Sequence, residues 1–256
     1  MSDLDRCTAF LRDFAFRTTG RTDESRFGPV FIHERLPRVW SLNYLLAERE
    51  LDETSAADLA AEADQVLGAA AGVRHRKVEV WNEAAGLGLE PGFRKLGWTV
   101  ERDVVMTHRR APDRETETES IEEVSAEELA DAWAAGIRTE PWGQEEEVVR
   151  QLVGHKYVYA AAGARFFAAR SEGGVSSYCE LYTDGRTGQI EAVMTLPEFR
   201  NRGLARAVVS KALAESSAAG NDLTFLLADA SDWPKHLYEK LGFDTIGAIY
   251  DFALRR

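Results

Sequence analysis

The stretch Glu191-Ala-Val-Met-Thr-Leu-Pro-Glu-Phe-Arg-Asn-Arg-Gly-Leu-Ala-Arg-Ala-Val-Val209 reads as a strand, a short loop and a helix. β-Branched and apolar residues from Ile190 to Thr195 carry the strand signal, and Pro197 ends it. Gly203 opens a helix running to Ser217, whose apolar face includes Leu204, Ala207, Val208 and Leu213. Between them lies Arg200-Asn-Arg-Gly-Leu-Ala205. The first turn of a helix has amides without intrahelical partners, aligned with a favourable dipole. A glycine there admits a ligand close to the backbone, and flanking arginines add positive charge. That combination suits a phosphate or pyrophosphate. An ordinary strand–loop–helix turn with solvated arginines has the same local pattern, so the rest of the chain must decide between them.

The basic loop stands out because the chain as a whole is acidic. Its 256 residues carry a net charge of −12, which disfavours nucleic acid or an anionic membrane as the main partner. No apolar run reaches the roughly 20 residues that span a bilayer, and the acidic start Met-Ser-Asp-Leu-Asp lacks a signal-peptide pattern. A cytoplasmic protein is expected. Cys7 and Cys179 form no CxxC pair and read as buried thiols. His33, His75, His108, His155 and His236 show neither HxxxH nor HExxH spacing, so no metal site is expected.

Periodicity gives the following order. Residues 2–16 are helical and Phe27–His33 and Val39–Ala47 are strands. Ser55–Gly68 is a helix, Lys77–Trp81 a strand, Ala84–Leu96 a helix or a helix broken around Gly86, Gly88 and Pro91, and Arg102–His108 a strand. The polar run 111–117 is a linker into a strand over Thr118–Val124. Ser125-Ala-Glu-Glu128 is a capping box for a helix ending near Gly136, and a second short helix covers Gln144–Leu152. Strands follow at Arg165–Arg170, Val175–Tyr182 and Gln189–Thr195. After the opening stretch come a strand at Leu223–Leu227, a helix at Trp233–Leu241 and a strand at Thr245–Leu254.

The two halves repeat. Phe93-Arg-Lys-Leu-Gly-Trp98 matches Tyr238-Glu-Lys-Leu-Gly-Phe243 at an offset of 145 residues. The same offset lays Val78–Val80 on Leu223–Phe225, Leu42–Ala47 on Thr187–Ala192, and Glu53–Ala60 on Glu198–Ala205. A gap-free register with strand on strand and helix on helix reads as a duplication. Where the second half has Arg200, Arg202 and Gly203, the first has Ser55, Ala57 and Asp58. A carboxylate there repels a phosphate, so one anion site per chain is expected, in the second half.

These residues resemble the GNAT superfamily of N-acetyltransferases. Arg200-x-x-Gly203-x-Ala205 after a strand is similar to that family's pyrophosphate loop, and Leu237-Tyr-Glu-Lys-Leu-Gly-Phe243 is similar to its later Leu-Tyr-x-x-Leu-Gly-Phe segment. The resemblance covers about 117–256 well and 1–110 as a degenerate copy, in the manner of mycothiol synthase-like tandem acetyltransferases. It implies an α/β (α+β) fold of tandem GNAT-like domains, 1–110 and 118–256 joined by 111–117. Each would be a mixed, mostly antiparallel sheet flanked by helices, with two strands splayed around the pantetheine arm of acetyl-CoA. It implies an N-acetyltransferase taking acetyl-CoA as co-substrate and a small-molecule or peptide amine as acceptor. Backbone groups of Val193, Met194 and Thr195 would pair with pantetheine. Amides of Asn201, Arg202, Gly203, Leu204, Ala205 and Arg206, with Arg200, would hold the pyrophosphate. Tyr238 would be the general acid. Ser231 stands where the family often has Asn, and one polar contact to pantetheine differs accordingly; Ala205 replaces a commoner glycine. Glu191, which strand alternation turns toward the cleft, is the candidate general base, ahead of Glu180 and Glu140. Glu140 and Trp142, between the first two helices of that half, are candidate acceptor-binding residues. The alternative reading is a non-catalytic acyl-CoA-binding sensor or interaction module.

Overall fold

The computed structural model of the chain describes residues 1–171 and 173–255. They form seven α-helices and eleven strands, in two compact units that are discontinuous in sequence. The first unit gathers Met1–Phe10, Val105–Ala228 and Asp232–Ile246; the second gathers Leu11–Val104, Asp229–Ser231 and the chain from Gly247.

In the second unit, strands β1 (Arg21–Glu24), β2 (Pro29–Ile32), β3 (Tyr44–Leu46) and β4 (His75–Val80) are neighbours in that order. The first two pairings are antiparallel and β3–β4 is parallel. The last strand of the chain, β11 (Phe243–Arg255), pairs antiparallel with β4, from Tyr250↔Val80 to Arg255↔His75. Helices α2 (Ala56–Gly68) and α3 (Glu83–Lys95) supply apolar faces to a core with Leu45, Val78, Val80, Phe93, Tyr250 and Phe252. Phe93 and Phe252 stack with ring centroids 4.1 Å apart. Strand β1 is absent from the sequence reading because Arg-Thr-Asp-Glu has no apolar alternation. It is a polar edge strand, a composition that discourages further pairing. Helix α3 runs unbroken through Pro91, starting from an Asn82 side-chain cap on the Ala85 amide.

In the first unit, strands β6 (Ile121–Val124), β7 (Arg165–Ser171), β8 (Gly174–Thr183), β9 (Thr187–Thr195) and β10 (Leu223–Asp229) are neighbours in that order. The first three pairings are antiparallel and β9–β10 is parallel. Each unit is therefore the mixed, mostly antiparallel sheet with flanking helices expected from the sequence. Helix α1 (Asp3–Thr18) contributes Phe10, which meets Phe225 edge-on at 5.6 Å. Helix α4 (Ala126–Arg138) has the expected capping box, Ser125 with Glu128. Helix α5 (Glu146–Ala161) is a full 16 residues, nine beyond the expected end at Leu152. Gly154 marks a helix stop in sequence, but buried His155 and Tyr159 carry the helix onward against the sheet. Helix α6 (Leu204–Ala218) lies along β7, β8 and β9, and α7 (Pro234–Lys240) precedes β11.

Candidate active site in the first unit

The parallel pairing of β9 with β10 runs from Thr187↔Leu223 to Ile190↔Leu226 and stops there. From Glu191 to Thr195, β9 continues alongside β8 alone. The strands part at a bulge. Glu180 faces Glu191, Tyr178 faces Met194, and Ala192 and Val193 share the one place opposite Cys179. Ala192 takes φ = 50° to make the bulge, a left-handed conformation costing a non-glycine residue about 1–2 kcal/mol. Such strain persists only where packing enforces it, commonly at functional sites.

The bulge sorts the backbone groups of β9. The Leu196 amide donates to the Ser176 carbonyl at 3.0 Å, and bonded pairs recur every second residue in an antiparallel ladder. Met194 therefore turns its backbone toward Tyr178, and its carbonyl also accepts from the Ser177 hydroxyl at 2.8 Å. Val193 and Thr195 turn theirs to the side where β10 has departed. The Thr195 carbonyl accepts from Arg200 Nε at 3.2 Å. Of the three residues expected to face a bound chain, Val193 and Thr195 have backbone groups on the open side. Met194 instead packs its side chain with Tyr178 and Trp133.

Beyond β9 a short 3-10 turn, Pro197–Phe199, leads into Arg200, and two left-handed residues follow, Asn201 (φ 63°) and Gly203 (φ 79°). Gly203 is the N-cap of α6 and brings no side chain to it. Among the described residues the amides of Asn201 through Arg206 have no hydrogen-bond acceptor; the first bonded amide is Ala207, to the Gly203 carbonyl. A Cβ on Gly203 would meet nothing within 4 Å, so the space before the helix is open. Arg200 and Arg202 are exposed, with Arg202 braced on the Glu198 carbonyl and over the Phe199 ring. Arg206 differs: its guanidinium is buried and paired with Asp113 at 2.8 Å, so only its amide faces the loop.

Tyr238, on α7, is 7% exposed, and its hydroxyl has no partner among the described residues. Burial, then the charges of Glu191, Cys179 and Asp232, push the phenol well above its ordinary range, so it holds its proton at neutral pH. Glu191 is half-buried, accepting from Gln189 Nε2 at 2.8 Å and from the Ala192 amide at 3.2 Å. Burial above all raises its carboxyl above the usual carboxylate range; the Ala192 amide and the ammonium of Lys156 pull it down, and facing Glu180 pushes it up. Glu180 is fully buried, bonded by the Tyr182 hydroxyl and paired with Lys156 at 2.5 Å. The sequence pattern ranked Glu180 low and missed Lys156 and Tyr182. Lys156 lies beyond the expected end of its helix, and no spacing marks it. Cys179 is buried with its Sγ on the Val208 carbonyl at 3.3 Å, and burial raises the thiol, an unreactive setting.

Glu140 and Trp142 lie in the tight turn after α4, where the Gly143 amide bonds the Glu140 carbonyl at 3.0 Å. Glu140 is half-buried and Trp142 is 47% exposed. Among the described residues no hydrogen bond, ion pair or ring contact links their side chains to Glu191 or Tyr238. Ser231 belongs to the second unit, where both its amide and hydroxyl bond Asp229 at 2.7 Å.

The corresponding places in the second unit are closed. Leu46 and Ala47 stand for Glu191 and Ala192 and remain joined to β4, through Leu46↔Glu79 and the Ala47 amide on the Glu79 carbonyl at 2.9 Å. Phe93, in place of Tyr238, is wholly buried in the core. Helix α2 begins at Ala56, three residues earlier than α6 on the repeat. Its N-terminus is closed by a capping box: Asp58 accepts from the Ser55 amide and hydroxyl at 3.0 and 2.6 Å, and the Ser55 oxygen caps the Asp58 amide at 3.2 Å.

Residues 171–251 match the family model described as FR47-like protein. A search of curated proteins gives no match. Among solved structures, a GCN5-related N-acetyltransferase from Kribbella flavida is similar at 19% identity and a TM-score of 0.65, over 99% of this chain and 96% of that one. A functionally unknown conserved protein from Staphylococcus epidermidis ATCC 12228 is similar at 14% identity and a TM-score of 0.68, over 91% and 93%. At these identities the likeness is one of fold.

Proposed function

We propose that the chain is a GNAT-superfamily, acetyl-CoA-dependent N-acetyltransferase with one active site, in the 118–256 copy, 1–110 being a degenerate copy. The observation that carries the reading is the opening between β9 and β10 beside a helix N-terminus whose amides are unpaired. Pantetheine would lie along Val193 and Thr195, and the pyrophosphate would sit on the amides of Asn201 through Arg206 with Arg200 and Arg202 beside it. The acceptor nitrogen attacks the thioester carbonyl; a C–N bond forms and the C–S bond breaks. Glu191 takes the proton lost by the nitrogen. Tyr238 gives its phenolic proton to the departing thiolate and recovers one from solvent. A partly buried carboxyl raised above its ordinary value and a buried phenol that keeps its proton are suited to those two roles.

Isothermal titration with acetyl-CoA tests the donor half. The wild-type chain is expected to bind and Arg202→Glu to bind at least tenfold more weakly; no binding by the wild type removes the reading. An amine-library acetylation screen by mass spectrometry then identifies the acceptor. On that acceptor Tyr238→Phe is expected to keep its acetyl-CoA affinity and lose about 10²–10⁴-fold in turnover. Acetyl-CoA binding with no acetylated amine would instead favour a sensor.

A further inference from the structure

On the face of the sheet covered by α4 and α5, the first unit places two carboxylates opposite each other and gives them one ammonium. Glu180 on β8 and Glu191 on β9 are cross-strand partners, so their side chains share a face. Lys156 reaches down from α5 and pairs with Glu180, not with Glu191. Tyr182 donates its hydroxyl to the other Glu180 oxygen, and the Lys156 ammonium sits 5.7 Å from the Tyr159 ring centroid. Glu180 is wholly buried, one oxygen accepting from Tyr182 and the other in the ion pair with Lys156, whereas Glu191 is partly buried and, among the described residues, accepts from Gln189 Nε2 and the Ala192 amide.

We propose that Lys156 and Glu180 are positioning residues for Glu191: Lys156 neutralises the buried Glu180 carboxylate, which leaves Glu191 as the one proton-accepting carboxylate of the pair. The proposal rests on the acetyltransferase reading for what Glu191 does with the proton, and on geometry alone for the division of charge. Like charges at facing positions of a strand pair oppose ionisation of the second group. With one ammonium bound on the Glu180 side, that second group is Glu191. The titratable groups facing Glu191 among the described residues are Glu180 and Tyr182 from β8, Lys156 from α5 and Tyr238 from α7, with Tyr159 of α5 beyond them against Lys156 and Tyr182. Burial raises the phenols of Tyr182 and Tyr238, which stay neutral when Glu191 titrates, and His155, buried beside Lys156, is held neutral by burial. The sign of the field at Glu191 is therefore set by Glu180 and Lys156.

The test needs no acceptor. Full-length protein labelled with ¹³C at the glutamate carboxyl carbons is titrated by NMR, and Glu191→Gln assigns the signal. In the wild type the Glu191 signal is expected to titrate above the ordinary carboxylate range. Glu180→Gln, nearly isosteric, should lower that midpoint by about one pH unit or more, because a facing negative charge is removed while Lys156 stays. Lys156→Met should raise the upper midpoint of the pair by a similar amount, and Lys156→Arg, which keeps the charge, should restore it. A purely structural role for the pair would leave the Glu191 midpoint in place in a folded Glu180→Gln variant, and that result overturns the proposal. So does a drop of the midpoint in Lys156→Met. Once an acceptor is known, the acid limb of kcat/KM should follow the same shifts. If the NMR shifts appear but acetyl-CoA does not bind, the charge arrangement stands and the enzymatic reading falls.

Discussion

Gly242 and Gly97 occupy the same place in the repeat, each in the left-handed region, at φ 96° and 81°. They answer differently to an added methyl. At Gly242 a Cβ would lie 2.0 Å from the Arg110 carbonyl oxygen, because the Arg109 and Arg110 amides both bond the Gly242 carbonyl. At Gly97 a Cβ meets nothing within 4 Å. Gly97→Ala should therefore cost only the conformational term, about 1 kcal/mol, whereas Gly242→Ala should cost more than about 2 kcal/mol because backbone must move. Urea denaturation of the two variants measures the difference, and equal losses would contradict it. At this scale the sequence was informative where a residue type has one physical use. The strand–loop–helix course of Arg200–Ala205 was legible because Pro197 ends the strand and Gly203 opens the helix, each a residue with a narrow backbone use. Lys156 was not, since its role depends on which carboxylate it meets across a helix–sheet interface.

At the scale of elements, the two copies differ in where one helix begins. The repeat aligns Ser55 with Arg200 and Asp58 with Gly203. In the second unit the helix extends three residues further toward its start and closes itself with Ser55 and Asp58. In the first unit it starts late, on a glycine, with its amides unspent. Ser55→Ala should accordingly cost about 1 kcal/mol in stability, the usual worth of an N-cap, and leave acetyl-CoA binding unchanged. Titration should show one acetyl-CoA per chain before and after the substitution; a second equivalent in the variant would mean that the cap alone blocks a latent site. The charge inversion at this loop was legible in the sequence. The accompanying closure of β3 onto β4 at Leu46 and Ala47 was not, because strand alternation gives a strand but not the point where its pairing ends.

At the scale of the whole molecule, the sequence repeat and the compact units do not share boundaries. The repeat divides the chain into contiguous halves, whereas the second unit takes the chain from Gly247 and the first takes Met1–Phe10. Period-two patterning marked β11 as a strand without naming its partner, and the 145-residue offset pointed to its own half. A fragment spanning 118–256 would lack Phe10, which packs on Phe225, and Arg6, which pairs with Asp222. It would also carry Tyr250 and Phe252 without the core they belong to. Such a fragment is expected to be aggregated or poorly folded by circular dichroism and size-exclusion chromatography. A monodisperse, cooperatively unfolding fragment that binds acetyl-CoA would show that the first unit does not need those segments.

The pairing of β4 with β11 also sets a timetable for synthesis. Val80 meets Tyr250, 170 positions later in the chain, which at typical elongation rates is about 10–30 s of translation. Throughout that interval β4 presents an unpaired edge beside the nascent apolar surface of α2 and α3, the kind of surface that invites other chains. The second unit, whose Leu11–Val104 segment is made early, is thus completed only by a strand made long afterwards, with the first unit's strands β6 to β10 synthesised in between. Chaperone occupancy on ribosome-bound chains is expected to persist past the exit of α3 and to fall once β11 has cleared the tunnel. A chain arranged this way does not divide at any single cut: each compact unit takes segments from both sides of the other, so neither is expected to fold as a contiguous fragment.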